Sequence, residues 1–114
     1  MATEEKRLAK IKDVRFGHGG YQGMQFGLYL GFGGEGWGVS TFEGAWDPTL
    51  MERSEHAAWT EVDRSEELDN LCRNVSKYLS QAKVDDVAEL KDKPVEITFE
   101  GQIMKSWRLL TEVI

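Results

Sequence analysis

All but one of the twelve glycines lie between Gly17 and Gly44, and the same stretch carries Tyr21, Phe26, Tyr29, Phe32, Trp37 and Phe42, with Phe16 and Trp46 at its borders. Glycine lets backbones approach closely and adopt positive φ. Aromatic rings supply large, stiff contact surface. A segment built from the two predicts a tightly turned β-meander that presents a face to a ligand or a partner.

The periodicity agrees. Ile11, Val14 and Phe16 predict a first strand from about Lys10, ended by Gly17-His18-Gly19-Gly20, with residues 1–7 as a mobile start. Met24, Phe26, Leu28, Leu30 and Phe32 alternate with Gln25, Gly27, Tyr29 and Gly31, which predicts a half-buried strand. Gly33-Gly34-Glu35-Gly36 is a turn signal, and Trp37, Val39 and Thr41 resume the alternation as the return arm of a hairpin. The stretch from Gly44 to Trp59 has no clear period and reads as an irregular connection, with one helical turn near Leu50 to Arg53.

Thr60 is placed to cap a helix from about Glu61 to Gln81, its hydroxyl accepting from the Asp63 N–H. Acids in the first turn suit the helix dipole, and Leu68, Leu71, Val75, Tyr78, Leu79 and Ala82 form one apolar stripe. Val84, Val87 and Leu90 predict a second, short helix before Pro94. Val95, Ile97 and Phe99 then alternate with charged or polar residues, Glu100-Gly101 turns the chain, and Ile103, Lys105, Trp107 and Leu109 share one face of the last strand. The expectation is one α+β domain over residues 1–114: an antiparallel sheet in the chain order β-β-β-α-α-β-β, with one long amphipathic helix packed across a face.

Composition narrows the function classes. No apolar run approaches the ~18 residues of a membrane helix, and the charged start lacks the apolar core of a secretion signal. Cys72 is the one cysteine, so no internal disulfide or CxxC zinc knuckle exists, and a reducing cytoplasm is the expected location. The net charge of −6 is unevenly spread. Lys6, Arg7, Lys10, Lys12 and Arg15 cluster early, whereas residues 43–69 are strongly acidic. An acidic body disfavours duplex DNA, whose binding draws on phosphate neutralisation, and favours a basic partner surface.

Gly31 to Gly36 spells G-x-G-x-x-G, but a strand follows it where a dinucleotide site needs a helix. Gly17-His18-Gly19-Gly20-Tyr21 is the better ligand candidate. Its backbone amides suit an anion, with Arg15 as a counter-charge, His18 as a donor and Tyr21 as a stacking surface. The same glycines fit a simple strand-to-strand bend. Tyr29, Trp46, Asp47, Trp59, Glu66 and Glu67 form the partner-binding candidates, acids to steer and aromatics to anchor. Two histidines and one cysteine cannot complete a zinc set without carboxylates, and neither histidine sits in a recognisable nucleophile context. The expectation is a protein without catalytic residues, metal or cofactor.

Residues 84–100, with Pro94-Val95-Glu96-Ile97-Thr98-Phe99, residues 105–114, with Ser106-Trp107-Arg108-Leu109-Leu110, and the start Ile11-Lys12-Asp13-Val14-Arg15-Phe16-Gly17-His18-Gly19-Gly20-Tyr21 together resemble small bacteriophage and prophage proteins. The resemblance implies a viral gene expressed in a bacterial cytoplasm. It also implies a binding protein that antagonises a host defence system, either by blocking a defence protein or by sequestering a nucleotide signal. A homo-oligomer would help the second mechanism by closing a pocket between copies. The alternative it implies is an accessory of phage DNA replication or recombination.

Overall fold

A computed structural model describes residues 3–50 and 59–114. Among the described residues five strands form one antiparallel sheet: β1 (Glu4–Gly19), β2 (Gln25–Gly34), β3 (Trp37–Trp46), β4 (Pro94–Glu100) and β5 (Ile103–Leu109), in the spatial order β3-β2-β1-β4-β5. The helix α1 (Glu61–Ala82) packs against the sheet. The α+β expectation holds, with the sheet strands before and after the helix. The expected turn at Leu50 to Arg53 falls mostly outside the described residues.

β1 organises the sheet. Its first half pairs with β4 from Glu4↔Glu100 to Lys10↔Pro94, and its second half pairs with β2 from Lys10↔Gly33 to Gly19↔Gln25. The expected mobile start is therefore strand from Glu4 onward, because β4 supplies its ladder partners. β1 ends at Gly19, within the expected Gly17-His18-Gly19-Gly20 stop. A register shift between Ile11 and Asp13 marks a β-bulge at Lys12. The extra residue moves the later side chains to the opposite face from the one simple alternation assigns. Ala9 and Ile11 are buried before it, and Val14 packs on the core after it.

The sheet curls around its core. Phe32 of β2 and Trp107 of β5 are separated by two intervening strands, which in a flat sheet would put them about 14 Å apart. Their ring centroids are 5.0 Å apart. The face that carries them is concave, and α1 fills the concavity with Leu71, Tyr78 and Ala82. Tyr78 packs against Trp107 with ring centroids 4.9 Å apart and planes tilted by 49°. Ile11, Leu28, Leu30, Leu90, Val95 and Ile97 are fully buried there, each contributing about 1.5–3 kcal/mol by removal from water. Where the β2–β3 hairpin curls over β4, Trp37 meets Phe99 edge-on at 5.6 Å, and the Arg7 guanidinium lies over both rings.

The helix begins as expected. Thr60 Oγ1 accepts from the Asp63 N–H at 3.1 Å, and Asp63 accepts from the Thr60 N–H at 3.1 Å, a reciprocal cap. Lys83 ends the helix in a left-handed conformation, φ 58°. The expected second α-helix is a single 3-10 turn, Val87–Leu90, capped by Asp86 and anchored by buried Leu90. A second bulge, between Thr98 and Phe99, pairs Phe99 with Met104. Met104 thus takes the core position expected of Ile103, which is 76 % exposed.

Candidate functional site

Among the described residues no element covers the convex face of β1, β2 and β3. The register puts Arg15, Tyr29 and Phe42 directly across from one another on three adjacent strands of this face: Arg15↔Tyr29 and Tyr29↔Phe42. The rings lean apart. Phe42 lies across Gly19 and Gly20, whereas the Tyr29 hydroxyl reaches towards Gly31. Between them opens a depression of about 230 Å³, lined by Arg15, Gly17, Gly19, Gly20, Tyr29 and Phe42. His18 borders it too, but its imidazole turns to the other face.

Backbone geometry makes this surface possible. Gly20 has φ 71° and ψ −150°, a region that only glycine occupies readily, and it starts the turn into Tyr21–Gly23. Gly27 and Gly44 face each other across β2 and β3. A β-carbon on Gly27 would lie 2.5 Å from Gly44 Cα and collide with the Glu43 carbonyl. The two strands approach too closely there for any side chain.

The amide cradle expected of Gly17 to Tyr21 does not form. Gly17 and Gly19 lie within the β1–β2 ladder. The Tyr21 N–H donates to Gln25 Oε1 at 3.1 Å, and the Gly23 N–H donates to the Gly20 carbonyl at 3.1 Å. Positive charge at the depression comes instead from a side chain. Arg7, Arg64, Arg73 and Arg108 each have a carboxylate within 4 Å. Arg15 has none among the described residues, and it is exposed.

His18 does not join Arg15, because odd and even positions after the bulge face opposite ways. Its imidazole meets Phe26 edge-on at 6.1 Å on the concave face, and its Nε2 lies 3.4 Å from Asp47 Oδ2. Asp47, expected to face a partner, is buried and internally engaged. Its Oδ1 accepts from the Thr49 hydroxyl at 2.5 Å and the Thr49 N–H at 2.8 Å, which holds the carboxyl below the ordinary carboxylate range. Tyr21 is 64 % exposed and meets Trp46 edge-on at 6.1 Å, at the end of the convex face.

The other partner candidates do not assemble into one surface. Trp59 is buried at 7 % exposure and offers no anchor to a partner. Glu66 is exposed on α1, whereas Glu67 is half-buried with Oε2 enclosed. Tyr29 sits on the convex face instead, as part of the Arg15 row. Phe42, Lys10 and Lys12 are the contributors to this face that sequence reasoning missed. The signal was present in the early basic run of β1 and in the odd spacing from Ile11 to Val14, which announces a bulge.

Among the described residues no three His, Cys, Asp or Glu side chains converge as a metal site, and no helix is long and apolar enough to cross a membrane. No protein-family model, curated protein or solved structure matches the chain.

Proposed function

We propose that this chain is a non-enzymatic binding protein whose convex sheet face holds a nucleotide, a ligand that combines a flat ring with negative charge. The observation that carries the reading is Arg15, the arginine without a carboxylate partner among the described residues, set in register beside two partly exposed rings. A guanidinium recognises phosphate through a planar fork of donors. Tyr29 and Phe42 give a base a π-face on which to stack. In the setting implied by the resemblance to phage proteins, such a protein sequesters a nucleotide signal of host defence in the bacterial cytoplasm. Burial of Trp59 and the inward engagement of Asp47 weigh against the other mechanism, an acidic and aromatic surface that blocks a defence protein.

The test is calorimetric titration with mononucleotides, cyclic mononucleotides and cyclic dinucleotides, using inorganic phosphate and pyrophosphate as controls. The expected result is saturable binding of a nucleotide, weakened at least about tenfold by Arg15→Ala, equivalent to about 1.4 kcal/mol. Arg15 is exposed, so the variant keeps its fold, and thermal melting checks this. Absence of binding across the panel, or unchanged affinity in Arg15→Ala, would refute the reading.

A further inference from the structure

The Arg15 depression does not stand alone. Two more depressions follow it along the convex face of β1 and β2, of about 310 and 320 Å³. Tyr29 lines both the first and the second, and Lys12 lines both the second and the third, so the three run into one another. Lys10 completes the far end. The floor is low because Gly31 and Gly33 bring no side chain to it. Like Arg15, neither Lys10 nor Lys12 has a carboxylate partner among the described residues, and both are exposed. Asp13 is the one acid lining this course.

From Lys10 to Arg15 the bulged strand runs alongside the four steps from Gly33 to Tyr29, about 13 Å at the usual rise. A mononucleotide fills the Arg15 end and leaves Lys12 and Lys10 unused. We infer that the groove takes a short single strand of nucleic acid, one base stacked at Tyr29 and Phe42 and its sugar-phosphate chain laid along Lys12 and Lys10. The inference rests on the nucleotide reading of the Arg15 end and extends it. A duplex does not fit, because its bases are stacked on one another and its phosphates require many more cations than three. A shallow groove with cations on one wall and rings at one end has the features of sequence-tolerant single-strand sites.

The experiment is fluorescence anisotropy with labelled oligothymidylates of about two, four and eight nucleotides, alongside an abasic strand and a blunt duplex. The same titrations are run on Lys10→Gln/Lys12→Gln, which removes the two charges without adding repulsive ones and whose fold is checked by circular dichroism. Affinity should rise from two to four nucleotides, and the abasic strand should bind at least about tenfold more weakly. The logarithm of the affinity should fall against the logarithm of salt with a slope of about −2, for three phosphates on a single strand. The double variant should lose the gain from length while holding a mononucleotide as before. Mononucleotide binding with no dependence on length would overturn this inference and leave the nucleotide reading standing. Loss of both would overturn both. A duplex that binds as tightly as the single strand, or an unaffected double variant, would also overturn it.

Discussion

Gly27→Ala adds a single methyl group at a place where β2 and β3 approach too closely for a side chain. The new carbon would sit 2.5 Å from Gly44 Cα and 2.8 Å from the Glu43 carbonyl carbon, where ordinary contacts are about 3.5–4.0 Å. These atoms and the Glu43 carbonyl oxygen beside them are all backbone, so no rotamer change relieves them. The strands must separate by about 1 Å, which adds about 1–3 kcal/mol of overpacking and weakens flanking ladder hydrogen bonds worth about 1 kcal/mol each. Alanine returns about 0.4–1 kcal/mol by restricting the unfolded chain. The net expectation is a loss of about 3 kcal/mol, or roughly 10 °C in Tm for a domain of this size. Gly17 is the matched control, since it pairs directly with Gly27 in the β1–β2 ladder. A β-carbon there meets nothing within 4 Å, so Gly17→Ala should stay within about 0.5 kcal/mol of the parent. Urea titration of both variants reads the difference. Equal stability of the two would refute the close approach and the reason given for glycine on this face.

Further outcomes follow from two buried polar pairs. Tyr78 donates to Glu43 Oε1 at 2.5 Å, and Tyr78→Phe should cost about 2 kcal/mol in denaturant melts, since the carboxylate loses a charge-assisted bond. Burial and the nearby Glu43 raise the Tyr78 phenol above its ordinary value. The folded protein therefore holds the neutral form while the unfolded chain ionises near pH 10. This contribution is complete below that pH and is lost as pH rises past it, so Tyr78→Phe should flatten the alkaline limb of the stability curve. Asp47 has the opposite sign: its carboxyl is held below the ordinary range by Thr49. Its contribution is complete above about pH 4 and is lost as the solution is acidified further. Asp47→Asn should flatten that acid limb, read by melts between about pH 5 and 2.

Elements whose signal is local were legible in the sequence. Strict alternation from Met24 to Phe32 marks β2, and Thr60 with Asp63 marks the start of α1 through its own cap. Facing was legible only where no residue interrupts the period. Ile11 to Val14 is a step of three, and the bulge behind it decides that Arg15 faces outward and His18 inward. The same kind of interruption at Thr98/Phe99 puts Met104, and not Ile103, on the core. The burial of Trp59 rests on tertiary contact, which an acidic, aperiodic segment does not advertise. Spacing alone does not assign the glycines their separate roles: Gly27 lets β2 approach β3, whereas Gly19 and Gly20 let Phe42 lie across the end of β1.

The most direct measurement is backbone amide chemical-shift mapping of the intact protein with a short oligothymidylate. If the convex face is the binding surface, shifts will concentrate at Lys10, Lys12, Arg15, Tyr29 and Phe42 and will spare Glu61 to Asp69 of α1. Shifts gathered on that acidic helix, or none at saturating ligand, would contradict the account.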